Sequence, residues 1–396
     1  MRNPQNQLLL KTFVYTLFIL NLSMLYYTNV RIFDAITVSF IWIFFCIKFI
    51  SYQRIIIPDV IICYFAYFLW CGISFIWKVP FSIFSIKQYI ILLLVGILQV
   101  ITYNLLSNKK VNLIVMINSI ILCCIIIEFS WILFYGLSYI MKSRVGNEFI
   151  NTNVLGSIFS IGSLLSLYLR FKQCKRLYFI PFIFIFFGIV FTGSKGALIQ
   201  FLLGTCIFIM LKNKSTNRKL FINICLVIII CIFVFLLIFH VQISYRIIGY
   251  RMESIINILL KKEKLHVGNN SNYLRVMMYK HGFKMFTERP LFGYGFDSFR
   301  YISPFETYSH SYFIENLSGV GLIGTILYYS RVFIFAKKIN KKKYCDIDFA
   351  FLIAYLISFV VYDLYAVSYN EIIIHVVFIV VYCIEKSYKK IDIENN

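Results

Sequence analysis

Residues 220–240 read LFINICLVIIICIFVFLLIFH, an apolar run that contains no Asp, Glu, Lys or Arg. A helix rises about 1.5 Å per residue, so about 20 such residues cross the hydrocarbon core of a bilayer. Similar runs recur along the whole 396-residue chain, in which 60% of the residues are hydrophobic and 14% are charged. A water-soluble protein of this size needs a more polar surface. The sequence therefore predicts an all-α polytopic membrane protein.

The apolar runs divide the chain into about twelve predicted transmembrane helices. Basic clusters, such as Lys109 with Lys110 and Lys341 to Lys343, occupy alternate connections and account for much of the net charge of +22. Because cytoplasmic loops are enriched in Lys and Arg, these connections and both termini are predicted to face the cytoplasm. The charge therefore indicates topology, and no nucleic-acid partner is expected. The predicted spans are 8–27, 33–50, 55–76, 84–104, 112–134, 151–169, 177–193, 196–211, 220–240, 311–334, 347–366 and 370–384.

Two connections on the opposite, outward face are longer than the others there, at residues 135–150 and 241–309. Long loops without structure are uncommon in compact proteins, so the second loop is predicted to carry function. Its apolar stripes at 248–259 and 274–285 predict two amphipathic helices. The predicted divisions are membrane helices at 1–240, the outward loop at 241–309, and membrane helices with a cytoplasmic tail at 310–396.

The sequence carries no motif for a metal, a nucleotide or a disulfide framework. Nearly all of the eleven cysteines lie within apolar runs, and no CxxC or Cys/His cluster occurs. Walker A, GxSxG, HExxH and Rossmann motifs are absent as well. No cofactor is expected, and an enzyme of this kind would use a substrate that is already activated in the membrane.

Basic residues on the outward side indicate an anionic ligand. Residues 241–309 contain ten Lys and Arg residues against five Asp and Glu. A lipid diphosphate fits this excess, because guanidinium groups bind phosphate oxygens in bidentate geometry. Lys195, in the turn 192–196, is nearly the only charge between two apolar runs, where an unpartnered cation is costly. Contacts with lipid headgroups, or a simple polar turn, are the alternative explanations.

Three polar residues stand where predicted spans begin. His310 opens the tenth span, where a neutral imidazole could accept a proton from a sugar hydroxyl. Asn151 and Asn153 open the sixth span, where their amides suit hydrogen bonds to sugar hydroxyls. Capping or interfacial roles at the helix ends are the alternative.

Four segments together resemble the O-antigen polymerase and O-antigen ligase superfamily. They are Arg144-Val145-Gly146 with Asn151 to Gly156, Gly193 to Ala197, Arg275 with Pro290 to Gly295 and Phe299, and His310 with Gly321 to Gly324. The first resembles the family's Arg…Gly…Asn-x-Asn opening of a span, and the second its Ser-Arg-Gly-Ala hairpin turn. The third resembles its loop helix and Pro-Leu-x-Gly-x-Gly turn, and the fourth its His-Asn…Gly-Leu-x-Gly opening.

The resemblance implies a GT-C-like fold that moves a glycan from an undecaprenyl-diphosphate carrier to an acceptor hydroxyl without metal or nucleotide. His310 would activate or position that hydroxyl, and Arg275 would stabilise the leaving diphosphate. Lys195, where the family usually has arginine, would bind beside it, and Arg144 would contact diphosphate or sugar. Arg289 is a further candidate for substrate binding. Ser311 and Gly319 also depart from the family pattern, which usually has asparagine after the histidine and often glutamate at the second position.

The leading hypothesis is a polymerase that joins undecaprenyl-diphosphate-linked oligosaccharide repeat units into O-antigen or capsular polysaccharide at the outer face of the cytoplasmic membrane. A ligase that transfers finished glycan to lipid A-core or another acceptor is the closest alternative. A transporter of lipid-linked oligosaccharide usually shows repeated halves, and none is evident here. A non-enzymatic assembly scaffold is the remaining alternative. The expected partners are membrane lipids, a flippase and a chain-length regulator.

Overall fold

The computed structural model describes residues 4–24, 31–51, 54–78, 80–107, 110–140, 151–212, 217–253, 271–340, 345–369 and 371–394. Arg144 and residues 254–270, which include part of the first predicted loop helix, lie outside these ranges. The longer helices are α1 (Pro4–Met24), α2 (Arg31–Ile50), α3 (Asp59–Ile73), α4 (Ile83–Leu106), α5 (Lys110–Ile140), α6 (Thr152–Lys172), α7 (Phe179–Thr192), α8 (Lys195–Leu211), α9 (Asn217–His240), α10 (Ser271–Glu288), α11 (Tyr312–Gly319), α12 (Gly321–Lys338), α13 (Asp346–Tyr365) and α14 (Ile372–Glu394).

The all-α class is confirmed over the described part of the chain. Six segments there are long and apolar enough to cross a membrane: Asp59–Ile76, Ile83–Leu106, Val111–Leu133, Thr152–Lys172, Phe221–His240 and Asp346–Tyr365. Shorter apolar helices are Leu8–Leu22, Arg176–Thr192, Lys195–Leu211 and Ile372–Glu385. The number of about twelve spans, the GT-C-like arrangement and the three divisions of the chain stay predictions. Helix α10 covers the second predicted stripe of the outward loop and ends before Arg289-Pro290, since the residue before a proline disfavours helix.

Helix α6 forms the centre of the bundle. It packs against α5, α7, α8 and α13, and 89% of its apolar window is buried, compared with 17% for α9. Small side chains on α6 let neighbouring backbones approach closely, which is how helices associate in a membrane. Ser160, for example, donates a hydrogen bond from its hydroxyl to the carbonyl oxygen of Ala197 on α8 (2.8 Å). The paired starts of α6 and α8 are therefore held rigidly.

A buried arginine joins α12 to α14. Arg331 donates from Nη2 to the hydroxyl of Tyr328 (3.1 Å) and to Nδ1 of His375 (2.9 Å). Since an arginine side chain stays protonated, His375 accepts at Nδ1 and donates from Nε2 to the carbonyl oxygen of Ser368 (3.0 Å). Ser368 lies after the end of α13, in the turn 366–369. The buried pair thus anchors a turn that forms one wall of the site described below.

The continuous helix predicted for 311–334 is interrupted. The chain forms α11 and α12 instead, with Val320 between them and Gly321 at a left-handed φ of 68°. An L side chain is strained at such a φ, whereas glycine is not. Hydropathy alone could not reveal the interruption, because it does not report backbone conformation.

The glycine turn at 290–295 docks on this interruption. Backbone hydrogen bonds join the two segments, from Tyr294 N–H to Ser318 O (3.0 Å), from Gly295 N–H to Gly319 O (2.7 Å) and from Leu322 N–H to Pro290 O (2.8 Å). These bonds pair backbone groups that an interrupted helix leaves exposed. The docking fixes the end of α10 and the following loop against α11.

We expect Gly293→Ala to destabilise the protein. Gly293 has a φ of 67°, and a Cβ there would lie 2.2 Å from the carbonyl oxygen of Gly319. Left-handed strain adds about 1 kcal/mol to that clash. The measurement is the midpoint of thermal unfolding in detergent. Gly136 has a φ of 71° with no described atom within 4 Å of a Cβ, so Gly136→Ala reports the backbone strain alone. Equal decreases of the unfolding midpoint in both variants would contradict the docking argument.

Candidate active site at the loop end of the bundle

Three helix N-termini gather at one end of the bundle, here termed the loop end. The N-cap residues are Asn151 for α6, Ser194 for α8 and Ser311 for α11, and each side chain accepts a hydrogen bond from the backbone of its own helix. The hydroxyl of Ser194 also donates to Oδ1 of Asn153 (2.9 Å), which joins α6 to α8. Helix N-termini carry partial positive charge, so this end of the bundle favours anions.

Two bases lie at the predicted hairpin turn 192–196, namely Lys195 and Arg251. Gly193 ends α7 in the left-handed conformation and Lys195 begins α8. The Lys195 ammonium donates a hydrogen bond to Oδ1 of Asn272 in the first turn of α10. Arg251 donates from Nη1 to the carbonyl oxygen of Gly193 (2.6 Å). The turn thus contacts the first part of the outward loop at Arg251 and the first turn of α10 at Asn272.

Helix α10 places Arg275 close to Arg251 and His310. Tyr279, one turn further along α10, lies with its hydroxyl near the carbonyl oxygens of His310 (3.4 Å) and Leu364 (3.2 Å), to which it donates. Residues four apart share one face of a helix, so Arg275 points toward the same side. Burial, and then the charge of Arg275, lower the pKa of Arg251. Within the described ranges neither Arg251 nor Arg275 forms a salt bridge.

His310 stands directly before α11 in a strained conformation. Its φ of 59° is uncommon for a residue other than glycine, and such strain concentrates at functional sites. Its ring lies 4.4 Å from the ring of Tyr308, measured between centroids. Burial, together with the nearby charge of Arg275, lowers the pKa of His310 to about 4. The imidazole is therefore neutral at physiological pH and can accept a hydrogen bond from a hydroxyl.

A cavity of about 190 Å³ opens beside His310. The amides of Asn151 and Asn153 form one wall, and Asn151 donates from Nδ2 to the hydroxyl of Tyr308 (3.4 Å). Arg300, Ala366, Val367, Tyr369 and Glu371 line it as well. The cavity therefore combines amides, aromatic rings and charged groups, as sites for polar ligands do.

Arg300 is held in place by a buried carboxylate. Its Nε donates to Oδ1 of Asp297 (2.8 Å). Asp297 in turn accepts hydrogen bonds from the hydroxyls of Ser85 (2.8 Å) and Tyr369 (3.3 Å). The Arg300 guanidinium also lies 4.6 Å from the ring of Phe84. These contacts fix the orientation of a charged group that faces the cavity.

The structure brings together five of the predicted site residues at the loop end: Asn151, Asn153, Lys195, Arg275 and His310. Arg289 lies elsewhere. Its guanidinium stacks on Tyr294 (4.5 Å) and lines an open apolar groove with Trp77 and Phe292. Arg289 does not line the His310 cavity, so its predicted role in substrate binding stays a prediction, as does that of Arg144, which the structure does not describe.

Sequence reasoning missed Arg251, Tyr279 and Arg300 as site residues. The excess of bases in the outward loop did signal that some of them bind an anion, but it did not indicate which. Glu371 also lines the cavity beside His310. Across the described residues, no three His, Cys, Asp or Glu side chains lie close enough together to hold a metal ion. The groups that gather here are bases, amides, one imidazole and the Glu371 carboxylate, which suit an anion and a hydroxyl-bearing ligand.

Comparison with known proteins gives one family match. Residues 180–329 match the family model described as O-antigen ligase, whereas no curated protein matches the chain. The matched segment runs from α7 into α12 and includes Lys195, Arg251, Arg275 and His310. The match confirms the resemblance to the O-antigen polymerase and ligase superfamily. Together with the apolar helices it indicates a multi-pass membrane protein.

Proposed function

We propose that this protein, a relative of the O-antigen polymerases and ligases, is a glycan polymerase. It joins undecaprenyl-diphosphate-linked repeat units into O-antigen or capsular polysaccharide at the outer face of the cytoplasmic membrane, with both termini in the cytoplasm. The observation that carries the proposal is the gathering of Lys195, Arg251 and Arg275 beside His310 at the loop end. A flippase that delivers repeat units and a chain-length regulator are the partners such a reaction needs.

The bases bind the donor in this proposal. As the bond between sugar C1 and the diphosphate oxygen breaks, its electron pair passes to the leaving lipid diphosphate. Arg251 and Arg275 can grip that group in bidentate fashion, and Lys195 adds a point charge. Preorganised cations aimed at developing charge are the largest single source of stabilisation in many enzymes. The start of α8 adds its partial positive charge.

His310 acts on the acceptor. Its neutral imidazole accepts the proton of the acceptor hydroxyl while the hydroxyl oxygen forms the new bond to C1, and the proton then passes to solvent. In the free protein the charge of Arg275 contributes to the low pKa of His310. A bound diphosphate neutralises that charge and so raises the pKa of His310. The imidazole is thus a stronger base when the donor is present.

A ligase is the second candidate, because the matching family model is described as O-antigen ligase. The same chemistry serves both activities. The two differ in the acceptor, which is another repeat unit for a polymerase and lipid A-core or a comparable molecule for a ligase. The site geometry is compatible with either acceptor, so the test must identify the product that is lost.

The first experiment is the glycan profile of a clean deletion strain, resolved by size on a gel. We expect single repeat units in place of long chains, and restoration of long chains by the wild-type gene on a plasmid. Accumulation of long chains on the lipid carrier would contradict the polymerase proposal and indicate a ligase. An unchanged profile would contradict both and favour a transporter or a scaffold.

A further inference from the structure

The two sides of His310 differ in charge. On the α8 and α10 side lie Lys195, Arg251 and Arg275, and a lipid diphosphate fits there. None of these three bases lines the cavity of about 190 Å³ beside His310, where the Arg300 charge is already balanced by Asp297 (2.8 Å). A diphosphate and its acceptor would therefore occupy different environments.

The lining of the cavity has no surplus of positive charge. Glu371 lines it, and Asp297 and Glu315 lie close enough to Arg300 to raise the pKa of its guanidinium. Lys78 is a second base close to Arg300. Its ammonium is buried and donates to the carbonyl oxygen of Phe296. Apart from the neutral His310, the charged groups that line the cavity are thus one base, Arg300, whose charge Asp297 balances, and one carboxylate, Glu371. An anionic sugar entering this cavity would meet the Glu371 carboxylate, which has the same sign of charge.

The size of the cavity suits one sugar ring. An apolar protein cavity of about 150 Å³ can hold a six-membered benzene ring, and this one is about 190 Å³. Aromatic rings of Phe84, Tyr308 and Tyr369 line part of it, and amide and charged groups line the rest. Rings match the apolar face of a pyranose, and the polar groups match its hydroxyl edge.

We propose that this cavity is the acceptor subsite and that it selects an uncharged sugar, with Arg300 and Glu371 as the residues that determine this specificity. Arg300 donates from its terminal nitrogens, since Nε is engaged by Asp297, and Glu371 accepts from a neighbouring hydroxyl. The inference rests on the proposed glycan transfer and adds the class of acceptor.

Linkage analysis provides the first test. The single repeat unit from the deletion strain and the polymer from the wild type are compared by methylation analysis, which identifies the sugar whose hydroxyl is newly substituted. We expect that sugar to be uncharged. A uronic acid or another carboxylated sugar at that position would overturn the proposal.

Kinetics provide the second test, with the full-length protein in liposomes. The donor is the lipid-linked repeat unit, and the acceptor is the same oligosaccharide released from its diphosphate by mild acid. We expect Glu371→Gln to raise the KM for the acceptor about tenfold and leave the KM for the donor unchanged, because Glu371 faces only the acceptor. Arg300→Lys keeps the charge beside Asp297 but loses the guanidinium fork, so it should raise the acceptor KM as well.

Glu306→Gln is the matched control. Glu306 lies in the same segment as His310, but its side chain is exposed and does not line the cavity, so both KM values should stay at the wild-type level. An unchanged acceptor KM in both Glu371→Gln and Arg300→Lys, or a rise in the donor KM alone, would refute the subsite. Wild-type protein that neither extends the acceptor nor releases lipid diphosphate would refute the proposed function instead.

Discussion

His310→Ala should abolish long-chain polymer in cells and lower the rate of transfer by about 10²–10⁴-fold in liposomes, the usual contribution of a positioned general base. The imidazole is close to Arg275 and also lines the cavity, so it can accept the proton of the acceptor hydroxyl. The measurement is the amount of polymer per molecule of membrane-inserted protein.

A second variant separates chemistry from folding. Alanine at position 310 would be strained at a φ of 59°, whereas asparagine tolerates the left-handed conformation. His310→Asn should therefore insert normally and still lack polymer. His240→Ala, at the exposed end of α9, is the matched control and should retain the wild-type amount. Wild-type polymer levels in both His310 variants would remove this residue from the mechanism.

The pH profile of the wild type gives an independent check on His310. Its activity requires the neutral imidazole, and the pKa of that imidazole in the free protein is lowered to about 4. The value of kcat/KM should therefore be constant from neutral pH down to about 5 and fall as the pH drops through about 4. An acidic limb near the ordinary histidine pKa of 6.5 would show that the site does not shield His310.

Arg275→Ala is expected to have the second large effect, a loss of about 10²–10³-fold in kcat, as for removal of one donor to a developing oxyanion. The residue has no salt bridge among the described residues that its removal would break, so the protein should still fold. Arg275→Lys should recover part of the activity because it restores the charge without the bidentate fork. The assay is release of lipid diphosphate in liposomes.

Arg275 and His310 are coupled, and the coupling can be measured. The positive charge of Arg275 contributes, after burial, to the low pKa of His310. In Arg275→Gln the residual activity should show an acidic limb at higher pH than in the wild type. Arg246→Gln, an exposed arginine in the same loop, should leave both the rate and the limb unchanged. A limb that stays in place in Arg275→Gln would mean that burial alone sets the pKa.

Local features of the chain were predictable because their causes are local. An uncharged apolar run such as 220–240 must avoid water whatever surrounds it, so the membrane class follows from hydropathy alone. The turn around Gly193 and the end of α10 before Pro290 depend on backbone preferences of neighbouring residues. Candidate residues such as Lys195, Arg275 and His310 were also identifiable, because each breaks the local pattern around it or belongs to a short motif.

Contacts between distant segments were decided by the tertiary structure. Ten bases of similar appearance lie in residues 241–309, yet packing of α10 on the His310 loop places Arg275 in the site and leaves Arg289 in a separate groove. The turn 290–295 docks at the interruption at Val320, and the cavity lining combines Arg300 with Ala366, Val367 and Tyr369 from a distant part of the chain. Hydropathy and spacing show which residues of each segment need to be buried. A site depends in addition on which segments pack against one another, and that is decided only when the whole bundle packs.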